Sequence, residues 1–220
     1  MDAGMDIERA RYNMVEQQVR TWEVLDPGVL ELMQSLPRED FVPEQHRLLA
    51  YADLELPIGH GEVMLAPKLQ GRIVQSLALG RADRVLEIGT GTGYLTALLA
   101  RLAGQVVSVE IVPELSAGAA RRLAALRIGN VELAVGDAAR GWTGGRYEAI
   151  AITGSMPVLA PAWLDLLPAG GRLFAVLGDA PVMKALLIER GESGALTRTE
   201  LFETCIPPLR NAPQPERFRF

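Results

Sequence analysis

Residues 84–88, Arg84-Val85-Leu86-Glu87-Ile88, form a short apolar run that stops at three closely spaced glycines, Gly89, Gly91 and Gly93. The Ala/Leu-rich stretch Tyr94–Leu102 follows at once. The run reads as a buried strand and the stretch after it as a helix. Glycine lets the chain turn sharply and approach a ligand with no Cβ in the way. The helix start then aims free N–H groups at whatever sits there. A strand, a glycine loop and a helix in this order confine the chain to α/β folds built on a parallel sheet.

The rest of the sequence repeats that alternation. Further strands are expected at residues 105–109, 131–135, 147–152 and 171–177, with a late pair at 183–189 and 199–206. Helices are expected at 113–126 and 161–167, and another opens at Pro67. Residues 7–36 read as two helices, the second started by Asp26-Pro27, an N-cap followed by proline at the first helical position, and ended by Pro37. Residues 41–43 and 51–58 read as extended or looped. Strands apolar throughout indicate a sheet covered on both faces. The expected fold is a doubly wound, mostly parallel α/β sheet with helices on both faces and an N-terminal helical extension. The 220 residues read as one domain. Within it, residues 1–80 form a helical, acceptor-side segment, 81–206 a cofactor-binding core and 207–220 a proline-rich arm.

Composition narrows the function. A formal net charge of −5 and no Lys/Arg run argue against nucleic acid as a partner. One cysteine, Cys205, and two histidines, His46 and His60, are too few for a dedicated metal centre, so none is expected. The N-terminus does not read as a signal peptide, and no segment approaches the ~20 apolar residues of a membrane span. A cytoplasmic protein is the expectation.

In a doubly wound sheet, ligands bind outside the carboxyl ends of the strands. Glu87 stands two residues before the first glycine, and the third glycine comes one residue earlier than in a Gly-x-Gly-x-x-Gly dinucleotide loop. A carboxylate at that strand end disfavours a pyrophosphate and suits a cationic group, such as the α-amino group of S-adenosylmethionine. The next strand ends in Glu110, followed by Ile111, about twenty residues beyond the first glycine. Glu110 can accept hydrogen bonds from both ribose hydroxyls. The third ends in Gly136-Asp137-Ala138, where an Asp can accept from an adenine amino group. A purely structural turn and a nicotinamide site remain as alternatives. The expected cofactor site is Glu87, Gly89, Thr90, Gly91, Thr92, Gly93, Glu110, Ile111, Gly136, Asp137 and Ala138.

These residues resemble class I methyltransferases and, within them, the protein-L-isoaspartate O-methyltransferases. The resemblance rests on the glycine loop and on Met14-Val15-Glu16-Gln17-Gln18, Pro37-Arg38-Glu39-Asp40-Phe41-Val42-Pro43, Ala50-Tyr51-Ala52-Asp53 and Leu56-Pro57-Ile58-Gly59. It continues through Asn130-Val131-Glu132, Tyr147-Glu148-Ala149-Ile150 and Leu167-Pro168-Ala169-Gly170-Gly171-Arg172-Leu173, and so spans roughly residues 12–180. It implies S-adenosylmethionine as methyl donor and S-adenosylhomocysteine as product. The implied acceptor is a carboxyl group of a damaged aspartyl residue in a protein or peptide.

The chain departs from that family in one place. The family's Gly-Gln-Thr-Ile-Ser-x-Pro segment matches Gly61-Glu62-Val63-Met64-Leu65-Ala66-Pro67, so its threonine is Val63 and its serine is Leu65. Val63, Met64, Leu65 and Pro67 are the expected acceptor-side loop, and no side chain is assigned as catalytic. A histidine found just after this segment in some members matches Gln70. The serine is implied to help hold the acceptor carboxylate. Losing a hydrogen bond to a charged group costs about 1.5–3 kcal/mol, one to two decades in binding or rate. The alternatives to isoaspartyl methylation are a different, more apolar or small acceptor, or a cofactor-binding protein without this activity. The arm 207–220, with its terminal Phe-Arg-Phe, reads equally as packing on the body, packing on a second subunit, or loose. Oligomeric state is not read from the sequence.

Overall fold

The computed structural model describes residues 3–215. A seven-stranded sheet runs in the order β5-β4-β3-β6-β7-β8-β9. Its strands are β3 (Arg84–Ile88), β4 (Gln105–Glu110), β5 (Val131–Val135), β6 (Ala149–Met156), β7 (Arg172–Asp179), β8 (Val182–Arg190) and β9 (Leu196–Thr204). β5, β4, β3, β6 and β7 pair in parallel, and β8 and β9 add antiparallel strands at one edge. The chain winds outward from β3 to β5, then returns to place β6 on the other side of β3. That reversal is the point where such sheets bind ligands.

Helices α1 (Ala3–Met14), α2 (Pro27–Ser35), α3 (Pro67–Leu77), α4 (Tyr94–Leu102) and α5 (Pro113–Ala125) contribute to one apolar cluster on the sheet. The opposite face is covered by the short α6 (Pro161–Asp165) and by connecting segments, with Trp163 and Tyr147 buried there. Helices do lie on both faces, though unevenly. Local chemistry sets the helix starts. Asp26 accepts from the Val29 N–H at 3.0 Å as the N-cap of α2, and α2, α3, α5 and α6 all carry proline at their first turn. Between α1 and α2, Val15–Val19 widens into a π turn and Arg20–Trp22 tightens into a 3₁₀ turn.

Two details differ from the sequence reading. Residues 56–64 form a small hairpin, β1 (Leu56–Gly59) with β2 (Glu62–Met64). Its turn takes Gly59, His60 and Gly61 through positive φ of 91°, 57° and 81°. Strands of four and three residues are too short to show a period of two, so only the glycine punctuation was visible. The last strand begins three residues earlier than expected, at Leu196, and Ile206 lies beyond its end. Of the C-terminal arm, residues 207–215 are described and 207–212 pack on the body, while the terminal Phe-Arg-Phe lies outside the described residues.

Candidate active site

The glycine loop is held in a shape only glycine adopts easily. Gly89, Gly91 and Gly93 take φ of 94°, 54° and 89°. A Cβ on Gly89 would stand 2.2 Å from Thr153 Oγ1, which donates to Ile88 O at 2.8 Å and Gly89 O at 3.1 Å. Thr153 sits on β6, directly across the switch point, and pins the end of β3.

The loop borders a cavity that brings together most of the expected site. Gly89, Thr90, Gly91, Thr92, Glu110, Ile111, Gly136, Asp137 and Ala138 line it, and Val63, Met64 and Leu65 line it from the hairpin side. Cofactor-side and acceptor-side residues therefore share one space. Pro67 does not line it but starts α3. Gly93 does not either; it is the cap of α4, and a Cβ there would meet Ala119 Cβ at 3.0 Å.

Glu87 is the main correction. It has no exposed surface and does not line the cavity. Alternation along β3 turns Leu86 and Ile88 to one face of the sheet and Glu87 to the other, under α4. There its Oε2 accepts from Thr96 Oγ1 at 2.5 Å and Ser108 Oγ at 2.6 Å, while Oε1 has no partner among the described residues. Burial pushes its pKa up to about 8, against the lowering effect of the two hydroxyls. Its side chain lies behind the loop and does not reach the cavity. Its place is structural: Ser108 also hydrogen-bonds Thr90 at 2.6 Å, so the chain Glu87–Ser108–Thr90 braces the loop from beneath.

The negative charge of the cavity comes from other residues. Glu110 is buried at the rim, with Oε2 accepting from Gly91 N at 2.8 Å and Oε1 from Val112 N at 3.0 Å. Each carboxylate oxygen keeps a further acceptor position. Asp137 is exposed, with Oδ1 accepting from Ala139 N at 3.0 Å and Oδ2 from Asn211 Nδ2 at 2.8 Å. Among the described residues, the lining carboxylates are Glu62, Glu110 and Asp137, and the one lining guanidinium, Arg210, is paired with Glu62. Such a cavity disfavours a pyrophosphate and suits a ligand with positive charge and hydroxyl donors.

Three strand ends and a glycine loop thus surround a weakly acidic cavity at the point where the strand order reverses. Residues 9–211 match the Protein-L-isoaspartate(D-aspartate) O-methyltransferase family. The chain belongs to this family. Its members are S-adenosylmethionine-dependent O-methyltransferases. The chain is 44% identical over 210 residues to Protein-L-isoaspartate O-methyltransferase 1 of Rhodopseudomonas palustris (strain HaA2), covering 94% of this chain and 86% of that one. It is 38% identical over 202 residues to the Protein-L-isoaspartate O-methyltransferase of Methanoculleus marisnigri, covering 91% of both. Its fold matches a Plasmodium falciparum chain described as a protein-L-isoaspartate O-methyltransferase in complex with S-adenosyl-L-homocysteine. The TM-score is 0.76 at 21% identity, covering 91% of this chain and 98% of that chain.

Several lining residues escaped the sequence reading. Thr153 and Gly154 follow the apolar run of β6, where nothing marked them. Ile58, Glu62 and Gln70, present in the resembling segments but given no site role, arrive from the hairpin and α3. The arm is the largest omission. Ser155 N donates to Pro207 O at 2.9 Å and Leu209 N to Ser155 O at 2.8 Å, so residues 207–209 run beside β6 and reach the cavity. A Cβ on Gly154 would stand 2.8 Å from Leu209 N, so that close approach depends on glycine. Among the described residues, no group of three or more His, Cys, Asp or Glu is placed to hold a metal ion. No described helix is long and apolar enough to cross a membrane.

Proposed function

We propose that this cavity binds S-adenosylmethionine along residues 89–92, Glu110 and 136–138 and presents its methyl group to an isoaspartyl carboxylate entering beside residues 63–65. The observation that carries this reading is that both segments line one cavity. The group bound there would supply a sulfonium methyl: an acceptor carboxylate oxygen attacking that carbon in line would form the O–CH₃ bond as the C–S bond breaks, its electron pair going to the sulfur of S-adenosylhomocysteine. The acceptor is already an anion, so the protein need supply no strong general base. Its work is to orient the carboxylate and strip part of its water. Glu110 accepts from the ribose hydroxyls with the positions its two backbone donors leave free. Asp137 and the backbone of Ala138 face the adenine. Glu87 holds the loop in shape from below.

The substrates are proteins or peptides carrying isoaspartyl residues. The test is labelled methyl incorporation into an isoaspartyl peptide beside the same peptide with normal aspartate, with calorimetry of S-adenosylmethionine against NAD. The reading expects label in the first peptide alone and heat from the first ligand alone. A second reading, a more apolar or small acceptor, is favoured by Ile58, Val63, Met64 and Leu65 around the acceptor side. It expects label in such an acceptor at a rate the isoaspartyl peptide does not match.

A further inference from the structure

The acceptor side of the cavity lacks the serine hydroxyl, yet it holds a different donor. Arg38 has no exposed surface. Its Nε donates to Ala50 O at 2.8 Å and its Nη2 to Leu65 O at 2.8 Å, while Nη1 donates to Gln70 Oε1. The guanidinium lies over the Tyr94 ring, 4.9 Å from its centroid. No carboxylate lies within ion-pair distance of Arg38 among the described residues; its neighbour Glu39 pairs with Arg11 instead. A buried cation is thus held by neutral acceptors alone.

This arrangement decides which way Gln70 faces. A guanidinium has donors only, so the amide must turn its carbonyl oxygen toward Arg38 and its NH₂ away. Gln70 lines the cavity with Leu65 and Tyr94. Its Nε2 donates to no atom among the described residues. An amide that lines the cavity, and that a buried cation polarises, therefore has N–H groups left over for a ligand. Leu65, whose carbonyl the same guanidinium fixes, stands next to them.

Building on the methyl-transfer reading, we propose that Gln70 Nε2 donates to the acceptor carboxylate, replacing the hydroxyl that Leu65 cannot offer, and that Arg38 is the positioning residue behind it. An anionic acceptor then comes to rest near the unneutralised Arg38 charge, one amide away.

Three variants test this with S-adenosylmethionine, an isoaspartyl peptide and separate measurement of kcat, peptide KM and S-adenosylhomocysteine affinity. Gln70→Leu removes the donor, and the expected result is a fall in kcat/KM for the peptide of about ten- to a hundredfold with product affinity unchanged. Gln70→Glu separates a donor role from a structural one. It strengthens the tie to Arg38, so the loop and the melting temperature hold, yet it turns an oxygen toward the carboxylate; the loss should be at least as large. Gln70→His, which can accept from Arg38 and donate from its other nitrogen, should recover part of the rate. Wild-type kcat/KM in Gln70→Glu, or an unchanged peptide KM and kcat in Gln70→Leu, overturns the assignment. A wild-type protein that binds S-adenosylmethionine but leaves the isoaspartyl peptide unmethylated instead overturns the underlying reading, and the role of Gln70 falls with it.

Discussion

Arg210 Nε donates to Glu62 Oε1 at 2.5 Å, joining the C-terminal arm to the hairpin across 148 residues of chain. The same guanidinium donates to His60 O, and the next residue, Asn211, reaches Asp137 on the opposite rim. The arm therefore bridges the cavity from the hairpin to the end of β5. The Arg210–Glu62 pair is partly exposed, so it is worth no more than about 1 kcal/mol. Arg210→Ala should shift the melting temperature by less than about 4 °C, yet loosen the arm locally. Hydrogen exchange at the Leu209 and Ser155 amides should speed up several-fold. Unchanged exchange would mean that the backbone bonds to Ser155 hold the arm without the ion pair.

Glu87 gives a pH prediction. Its pKa rises from the free value of 4.5 to about 8 on burial, so between those limits the folded state holds a proton that the unfolded chain has lost. Stability from this group is intact below about 4.5 and declines as pH rises toward 8. Glu87→Gln keeps an acceptor for Thr96 and Ser108 and removes the titration. Its melting temperature should gain on the wild type as pH rises from 5 to 8, by roughly 3–8 °C at the upper end. Parallel melting curves across that range would show that Glu87 is ionised in the folded protein.

Glu110 both anchors the loop and lines the cavity. Glu110→Gln places an NH₂ against one of two backbone donors, Gly91 N or Val112 N. With a ribose contact weakened too, affinity for S-adenosylhomocysteine by calorimetry should fall about ten- to a hundredfold. Wild-type affinity would remove Glu110 from the cofactor site.

Gly89 is constrained twice, by its φ of 94° and by Thr153 Oγ1. Gly89→Ala should destabilise the fold by about 1–3 kcal/mol and abolish tight product binding. Adding Thr153→Ala relieves the contact but leaves the backbone strain, so stability should recover in part and binding less. Full recovery of both would place the whole cost in the side-chain clash.

The glycine loop and the strand ends at Glu110 and Asp137 were legible because their signals are local: an apolar run, a glycine and an acid at fixed spacing. Glu87 was legible as a strand-end acid and misread in direction, since only pairing fixes which face a strand residue takes. Thr153, Gln70 and the arm reach the cavity through contacts far apart in sequence, such as Leu209 with Ser155, and no local pattern encodes those. The hairpin at residues 56–64 was lost to its shortness. The change at Leu65 was plain in the sequence, whereas the Arg38–Gln70 pair behind it needed side chains from two distant segments to be placed together.

Methyl transfer across this one cavity to an isoaspartyl carboxylate, with Leu65 in the serine's place, would leave a carboxyl methyl ester. Incubation of the wild-type protein with labelled S-adenosylmethionine and an isoaspartyl peptide, followed by mild alkali, detects that ester. The expected result is label in the peptide that alkali releases as methanol. An unlabelled peptide, or label that survives alkali, would contradict it.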